Sequence, residues 1–392
     1  MKVRVLTTSD FPIHGAPESF VRMMALGLDK EGVTVDIIRF WGNRYRCVNS
    51  THIDVSEYLF PAPLKGGVAK VFEFFLQLLY IPIFLMRTKF RDPNAILVLY
   101  GLDHAFFVFP FSIICRILHI KCFRIITELY ARSTSTQASL LRRLVHHSNY
   151  WQIGYFDRFL SGVIVLSQFL QKLSITNGVE DRRILLLRHF ISIPSSVVIK
   201  FETSGVFVVG YCGTVTAENG VIDLIDAMSL LWAAEVPAKL LIIGNANQEA
   251  LFKIDSCKSS LNIKDSITVT GHVAPTSVED LLNRCTVLVN PRGRGIAADS
   301  GFPTKVGEYL ATGLPVITTK VGELALCLCD RNQVVFAEPD DPVSLHDAMR
   351  FVWQNPAEAA KIGAAGKVWA ENNLEYRANA DRLAKFIDSM PI

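Results

Sequence analysis

The sequence predicts an α/β protein built from two doubly wound domains in tandem, and three observations carry that reading. Short β-branched runs alternate with stretches of helical periodicity. The alternation lapses into Pro, Ser and Thr around Ile193 to Gly205 and then restarts. The chain's 392 residues are enough for two cores of ordinary size. Strands alternating with helices imply parallel sheets covered on both faces, with ligands bound outside the carboxyl ends of the strands.

The first half opens with a strand at Val3 to Ser9 and an amphipathic helix at Pro17 to Asp29. Pro17 suits a first helical turn, Phe20, Val21, Met24 and Leu28 share one face, and Gly32 follows the end. Further strands are expected at Val33 to Phe40, Ala95 to Tyr100, Phe123 to Leu129 and Gly162 to Ser167. After the linker come strands at Val206 to Gly213, Ala238 to Gly244, Ile267 to Val273, Thr286 to Pro291, Pro315 to Thr319 and Val334 to Ala337. Helices are expected at Gly220 to Leu231, Thr276 to Arg284 and Thr304 to Ala311, and from Pro342 onward the chain reads as helical. The expected division is 1–195 for the first domain and 196–375 for the second, with the cleft between two such domains the natural site.

Half the residues are hydrophobic and a fifth are charged, the profile of a folded protein, and the net charge of +3 argues against bulk nucleic-acid binding. Eight cysteines are scattered, several of them (Cys115, Cys122, Cys212, Cys285) in apolar runs, as buried thiols in a reducing, cytoplasmic compartment would be. Cys327 and Cys329 have no second pair at zinc spacing, so no metal site is expected. No secretory signal is expected either: Lys2 and Arg4 flank only a short apolar stretch. The charge-free run from Phe74 to Met86 has 13 residues and contains Pro82, against about 20 needed to span a bilayer.

Chemistry concentrates in Asn290 to Thr319. A strand runs into a glycine-rich loop (Gly293, Gly295, Gly301), and the loop opens a helix at Thr304. Amides at a helix N-terminus form an anion site. Lys305, in the first turn, opposes the helix dipole unless an anion sits there. Thr304, Lys305 and Glu308 share one side of that helix, where a carboxylate can accept hydrogen bonds from two ribose hydroxyls. The alternative for Glu308 is a solvated residue paired with Lys305, a common and weak arrangement.

The whole chain resembles the retaining glycosyltransferases of the GT-B fold, in the large family 4 group of bacterial lipopolysaccharide, capsule and exopolysaccharide enzymes. That family carries two glutamates separated by seven residues, the second beginning Glu-Ala-Met-Ala-x-Gly-x-Pro-Val. Here Glu308-Tyr-Leu-Ala-Thr-Gly-Leu-Pro-Val316 matches the second half. The resemblance implies two Rossmann-like domains facing a cleft, acceptor on the first and nucleotide sugar on the second, and a last helix (376–392) packing back on the first. It implies that Glu308 binds the donor ribose, that Gly301, Phe302 and Thr304 line the donor site, and that the sugar is transferred with retention, without a metal or other cofactor. The acceptor would be a glycan or a lipid-linked sugar, in surface polysaccharide synthesis.

The departures are specific. Ser300 stands where the first glutamate would be, and Pro303, which has no N–H, replaces a glycine of Gly-Phe-Gly. The family's Gly-Arg-Leu…Lys-Gly becomes Gly213-Thr-Val-Thr-Ala-Glu-Asn-Gly220, with Thr214 for the arginine and Asn219 for the lysine. Lys305 and Arg292, with Arg294 nearby, are the cations on hand to replace them at the leaving diphosphate. A subset of the family with Phe-Pro-Ser/Thr-Lys-x-x-Glu-Tyr shares the swap.

Gly15-Ala-Pro-Glu-Ser-Phe corresponds to the family's Gly-Gly-x-Glu loop near the transferred sugar, although Gly15 alone also reads as a turn glycine. Glu128 ends a strand near the place where relatives keep a histidine or acidic residue, making it a catalytic candidate. Asp103 and His104 follow another strand and could line the acceptor side, His146 and His147 read as solvated surface, and His272 lies where relatives' backbone meets the base. Between Lys121 and Lys200 basic residues outnumber acidic ones. With the aromatic segment Phe72 to Phe84 this fits peripheral contact with an anionic membrane, or a buried helix beside a solvated basic face. A nucleotide-sugar epimerase on the same fold, or a non-catalytic partner that has lost the cations, is the alternative.

Overall fold

The computed structural model describes residues 1–7, 15–41, 53–60, 67–102, 105–129, 153–194, 205–215, 219–261 and 266–391. Asp103, His104, Arg132, Arg142, Arg143, His146, His147 and most of the expected linker lie outside them. The chain divides into two compact units, Met1–Phe190 with Tyr376–Ile392, and Ile191–Glu375.

The first unit runs β1 (Lys2–Thr7), α1 (Ala16–Lys30), β2 (Thr34–Trp41), β3 (Ile53–Phe60), α2 (Gly67–Arg91), β4 (Ile96–Tyr100), α3 (Ala105–Ile117), β5 (Lys121–Ile126), β6 (Gly162–Val165), α4 (Gln168–Thr176) and β7 (Ile184–Leu186). Its seven strands lie in the order β3-β2-β1-β4-β5-β6-β7, every pair parallel. Strands β4 and β6 are buried throughout because helices cover both faces. One face packs Leu97 and Leu99 against Ile81 and Leu85 of α2 and Phe107 and Phe111 of α3. Strand β5 ends at Ile126, so Glu128 lies two residues beyond it. The edge strands β3 and β7 carry weak sequence signals. In β3 the apolar–polar alternation breaks at Glu57 and its pairing with β2 slips between Ile37 and Ile38; β7 has three residues.

Part of the basic run beyond Lys121 is structural. Arg124 is buried on β5, and its Nη1 donates to Asp157 Oδ1 at 2.9 Å and Oδ2 at 3.1 Å, while the amide of Gly154 donates to Oδ2 at 2.9 Å. The Arg158 guanidinium lies 4.5 Å from the Tyr155 ring centroid and 4.8 Å from that of Phe159. No helix among the described residues is long and apolar enough to cross a membrane.

The second unit runs β8 (Phe207–Cys212), α5 (Val221–Ala233), β9 (Ala238–Ile243), α6 (Gln248–Leu261), β10 (Ile267–Val269), α7 (Pro275–Leu282), β11 (Val287–Asn290), α8 (Ile296–Ser300), α9 (Thr304–Thr312), β12 (Val316–Thr319), α10 (Gly322–Cys327), β13 (Val335–Ala337), α11 (Pro342–Gln354) and α12 (Pro356–Leu374). Six parallel strands lie in the order β10-β9-β8-β11-β12-β13. From β8 the chain adds strands outward through β9 and β10, then returns to β11 on the other side. Strands β8 and β11 therefore flank the topological switch, where helices leave on opposite faces and a crevice opens at the carboxyl ends. Ile191 is tied into this unit, its amide donating to the Leu374 carbonyl at 2.8 Å, so the division falls at Phe190.

The chain then returns to the first unit as α13 (Tyr376–Ser389), which packs on α1. The two helices approach closely at Gly27, where a Cβ would meet the Ala380 Cβ at 2.5 Å and the Tyr376 carbonyl oxygen at 2.7 Å. Asn379 Nδ2 donates to the His189 carbonyl at 2.7 Å, and Lys121 Nζ to the Asp388 carbonyl at 3.2 Å. Both contacts use backbone acceptors and hold the helix along its length.

Candidate functional site

At the switch of the second sheet, the loop after β8 meets the loop after β11. Gly220 makes this approach possible. It has φ +70°, and a Cβ there would fall 1.7 Å from the Pro291 carbonyl oxygen, so no other residue fits. On the far side of β8 the amide of Gly213 donates to Ile243 and that of Val215 to Asn245, at 2.9 and 3.0 Å, so the loop is pinned from both flanks.

Helix α9 is locked to this loop by Tyr309. Its hydroxyl accepts from the Cys212 amide at 2.7 Å and donates to the Cys212 carbonyl at 3.3 Å, and the ring is fully buried. This anchor sets the position of the first turn of α9. Lys305 reaches back from that turn, donating to the Tyr211 hydroxyl at 3.1 Å with its ammonium 4.6 Å from the ring centroid. Tyr211 donates in turn to the Thr214 carbonyl at 2.9 Å, and burial drives its phenol well above the usual range, so it stays neutral. A phenol hydroxyl and a π face hold the ammonium of Lys305 in place.

Glu308 lies one turn further along the same side, half-buried. Burial pushes its carboxyl up to about 7, against the opposing pull of Lys305. Among the described residues the carboxylate has no hydrogen bond or ion pair, so the expected alternative of a surface pair with Lys305 does not form. The Cys212 thiol, raised to about 11 by burial and by Glu308, lies within reach of the same charges. A desolvated acceptor beside a cation and a helix N-terminus is an arrangement for ligand hydroxyls next to a ligand anion.

The other expected residues divide by what they touch. Arg292 is half-buried and close enough to Tyr211 for its charge to be felt there. Arg294 turns away to Glu338 and Asp340, at 3.7 and 3.9 Å, and its amide donates to Asp340 Oδ2 at 3.1 Å. Gly213 lies against Lys305: a Cβ there would meet Nζ at 3.2 Å. Asn219 donates to the Thr214 carbonyl at 2.9 Å, which clips the loop shut on itself. Thr304 is the first residue of α9, and Gly301 is extended at the end of α8. The Phe302 ring is buried and stacks on Trp369, 6.3 Å between centroids, so only its backbone is available to a ligand. Ser300 is fully buried. Gly15 and Glu128 belong to the first unit; Gly15 precedes α1 with φ −148° and is not a left-handed turn residue. Tyr211 and Tyr309 were not singled out in the sequence. The signal for Tyr211 is a tyrosine next to Gly210 near the end of β8, and for Tyr309 a tyrosine next to Glu308 inside α9.

Residues 206–355 match the family model described as Glycosyl transferases group 1. A glycogen synthase of Mycobacterium tuberculosis is 26% identical over 175 residues, covering 45% of this chain and 41% of the relative. A GDP-mannose-dependent monoacylated alpha-(1-6)-phosphatidylinositol monomannoside mannosyltransferase of Corynebacterium glutamicum is 24% identical over 172 residues, covering 43% and 44%. The matched stretch thus spans about two fifths of the length of these curated relatives. Among solved structures, Anabaena HepE in complex with UDP superposes with a TM-score of 0.73 at 14% identity over all of both chains. The lipopolysaccharide outer core galactosyltransferase WaaB superposes at 0.70 with 13% identity over 99% of each. The fold of the whole chain is GT-B.

Proposed function

We propose that this chain, a GT-B glycosyltransferase whose second unit belongs to the group 1 family, moves a sugar from a nucleotide-diphosphate donor to a glycan or lipid-linked acceptor with retention at the anomeric carbon. The observation that carries the reading is Glu308: a carboxylate desolvated to a pKa of about 7, without a protein partner among the described residues, one turn from Lys305 at the switch of the sheet. In this reading Glu308 accepts both ribose hydroxyls. Lys305, Arg292 and the first amides of α9 hold the diphosphate, where negative charge grows as the bond to the sugar breaks. Gly213, Thr214 and Asn219 shape the loop over it. Gly15, at the N-terminus of α1, approaches the transferred sugar, and Glu128 is the candidate acid–base residue of the first unit. No step asks for a metal.

Support for the donor class comes from HepE, whose structures hold UDP and UDP-glucose, and from the GDP-mannose named for the mannosyltransferase. A lipid-linked acceptor would be met at a membrane. The exposed side of α2 supplies a surface for that, with Leu76, Leu79, Ile83, Met86 and Phe90 at helical spacing beside Arg87 and Arg91. Calorimetric titration with UDP, GDP and their sugars tests the function: one of them binds at micromolar strength, and binding of none refutes it.

A further inference from the structure

The first unit carries a second concentration of positive charge. Arg116 closes α3, Ser161 precedes β6, and Arg182 and Arg183 precede β7. All lie just before the starts of strands β5, β6 and β7, so they gather at the edge of the sheet opposite its carboxyl ends. There they line a cavity of about 330 Å³, within the range of small-ligand sites. The thiols of Cys115 and Cys122, hydrogen-bonded to each other, contribute to its wall.

The guanidiniums are positioned differently. Arg183 is held by two carbonyls, Nε to Ser161 at 3.3 Å and Nη1 to Arg158 at 3.0 Å. Arg116 has neither hydrogen bond nor ion pair among the described residues. Arg182 pairs with Glu180 at 2.7 Å in an exposed contact. Among the described residues Glu180 is the carboxylate lining the cavity, beside three guanidiniums. His119 lines it too, in the left-handed conformation, its carbonyl accepting from Lys89 Nζ at 2.9 Å. Burial, and beyond it Arg116 and Arg182, pull Arg183 below the usual guanidinium range, against Glu180. The dipole of α3 accounts for a cation at Arg116. It does not account for the two arginines that enter from the turn before β7.

We propose that this cavity is a binding site for a phosphate or diphosphate group, gripped by Arg116, Arg182 and Arg183. Guanidiniums match the paired oxygens of such a group, and its two or more charges suit the excess of cations over acids among the described lining residues. The carrier of the group is either a soluble phosphate compound or a lipid headgroup. The site is independent of the donor reading.

The test uses the full chain with Lys305→Ala, which weakens phosphate binding at α9, with and without R116Q/R182Q. These two arginines make no hydrogen bond to the backbone, so the variant keeps the contacts of Arg183. Inorganic pyrophosphate is titrated calorimetrically. The K305A protein binds it, and R116Q/R182Q weakens that binding by about tenfold per guanidinium removed. Flotation with phosphatidylcholine vesicles, with or without phosphatidic acid, identifies the carrier. Arginine-dependent capture by phosphatidic acid assigns a headgroup, and pyrophosphate binding without capture assigns a soluble phosphate. Absence of pyrophosphate binding, or binding unchanged by R116Q/R182Q, overturns the proposal. A failed donor site leaves these readings intact, because they turn on Arg116 and Arg182 alone.

Discussion

Replacing Glu308 with glutamine separates what this residue does for the fold from what it does for a ligand. The carboxyl moves from an ordinary 4.5 to about 7 in the folded chain. The folded state therefore holds its proton more tightly than the unfolded state does. Below about 4.5 the group is neutral in both states and costs nothing. As pH rises from 4.5 to 7 stability falls, and above 7 the full penalty is present. At 1.36 kcal/mol per pKa unit the shift corresponds to about 3 kcal/mol, and residual water contact brings this to about 2. E308Q removes that penalty, so at pH 8 the second unit melts about 4–8 °C higher than in the parent. At pH 5 the gain is small. Ligand affinity moves the other way: losing a charged acceptor costs about 1.5–3 kcal/mol, roughly 10- to 150-fold in nucleotide Kd at pH 8. The parent's affinity itself drops about tenfold between pH 8 and pH 6, because binding must first ionise the group, and E308Q flattens that profile. Calorimetry across pH measures both quantities. A variant that is destabilised at pH 8, or that binds nucleotide as tightly as the parent with the same pH slope, refutes the account of Glu308 as a strained, ligand-directed carboxylate.

Lys305→Ala lowers nucleotide affinity about 10- to 100-fold. Because Lys305 is what pulls the Glu308 carboxyl down, the variant also moves that titration above about 7, readable in the pH dependence of residual binding. Tyr309→Phe leaves the part-buried Cys212 amide without its Tyr309 partner and costs about 1–3 kcal/mol of stability, measured by denaturant unfolding of the second unit. Asp157→Asn removes the carboxylate charge paired with the buried Arg124 guanidinium and costs about 3–5 kcal/mol. A calorimetric scan then shows the transition of the first unit lowered and that of the second unchanged. Glycosyl transfer, once donor and acceptor are matched, is unaffected by a chelator.

The sequence carried the parts of the fold that depend on local pattern. Buried parallel strands such as β4 and β6 are runs of apolar residues bounded by turns, and α1 has its proline, apolar stripe and closing glycine in register. Edge strands β3 and β7 are stabilised by a single neighbour and by what packs over them, so their residues show little of it. The candidate site was suggested in the sequence by Lys305 and Glu308, because a cation in a first helical turn breaks a local electrostatic rule. Their environment was not. Tyr211 is 94 residues from Lys305 and Tyr309 is 97 from Cys212, and only the fold brings those pairs together. Arg294 and Arg292 look alike in sequence; the acids at Glu338 and Asp340, in the loop after β13, separate them.

That separation bears on how a diphosphate would be held in the proposed site, where the loop after β8 carries Thr214 and Asn219 in place of two cations. Thr214 and Asn219 make up no charge, since the Asn219 amide is spent on the Thr214 carbonyl. The same carbonyl accepts from Tyr211, and Tyr211 is what receives Lys305. The loop thus acts on charge indirectly: its backbone orients a phenol, and the phenol orients an ammonium carried by α9. A cation delivered from the helix stands beside the helix N-terminus, so one anion can meet both at once. Pro303, which offers no amide, fits the same logic: it fixes the first turn that carries Lys305. Losing the loop cations and gaining Lys305 are then one change, and restoring arginine at Thr214 in the presence of Lys305 would crowd two like charges around one phosphate. T214R is accordingly expected to rescue nucleotide binding in Lys305→Ala but not to improve it in the parent. Additive gains from both cations would show that the two positions serve different oxygens.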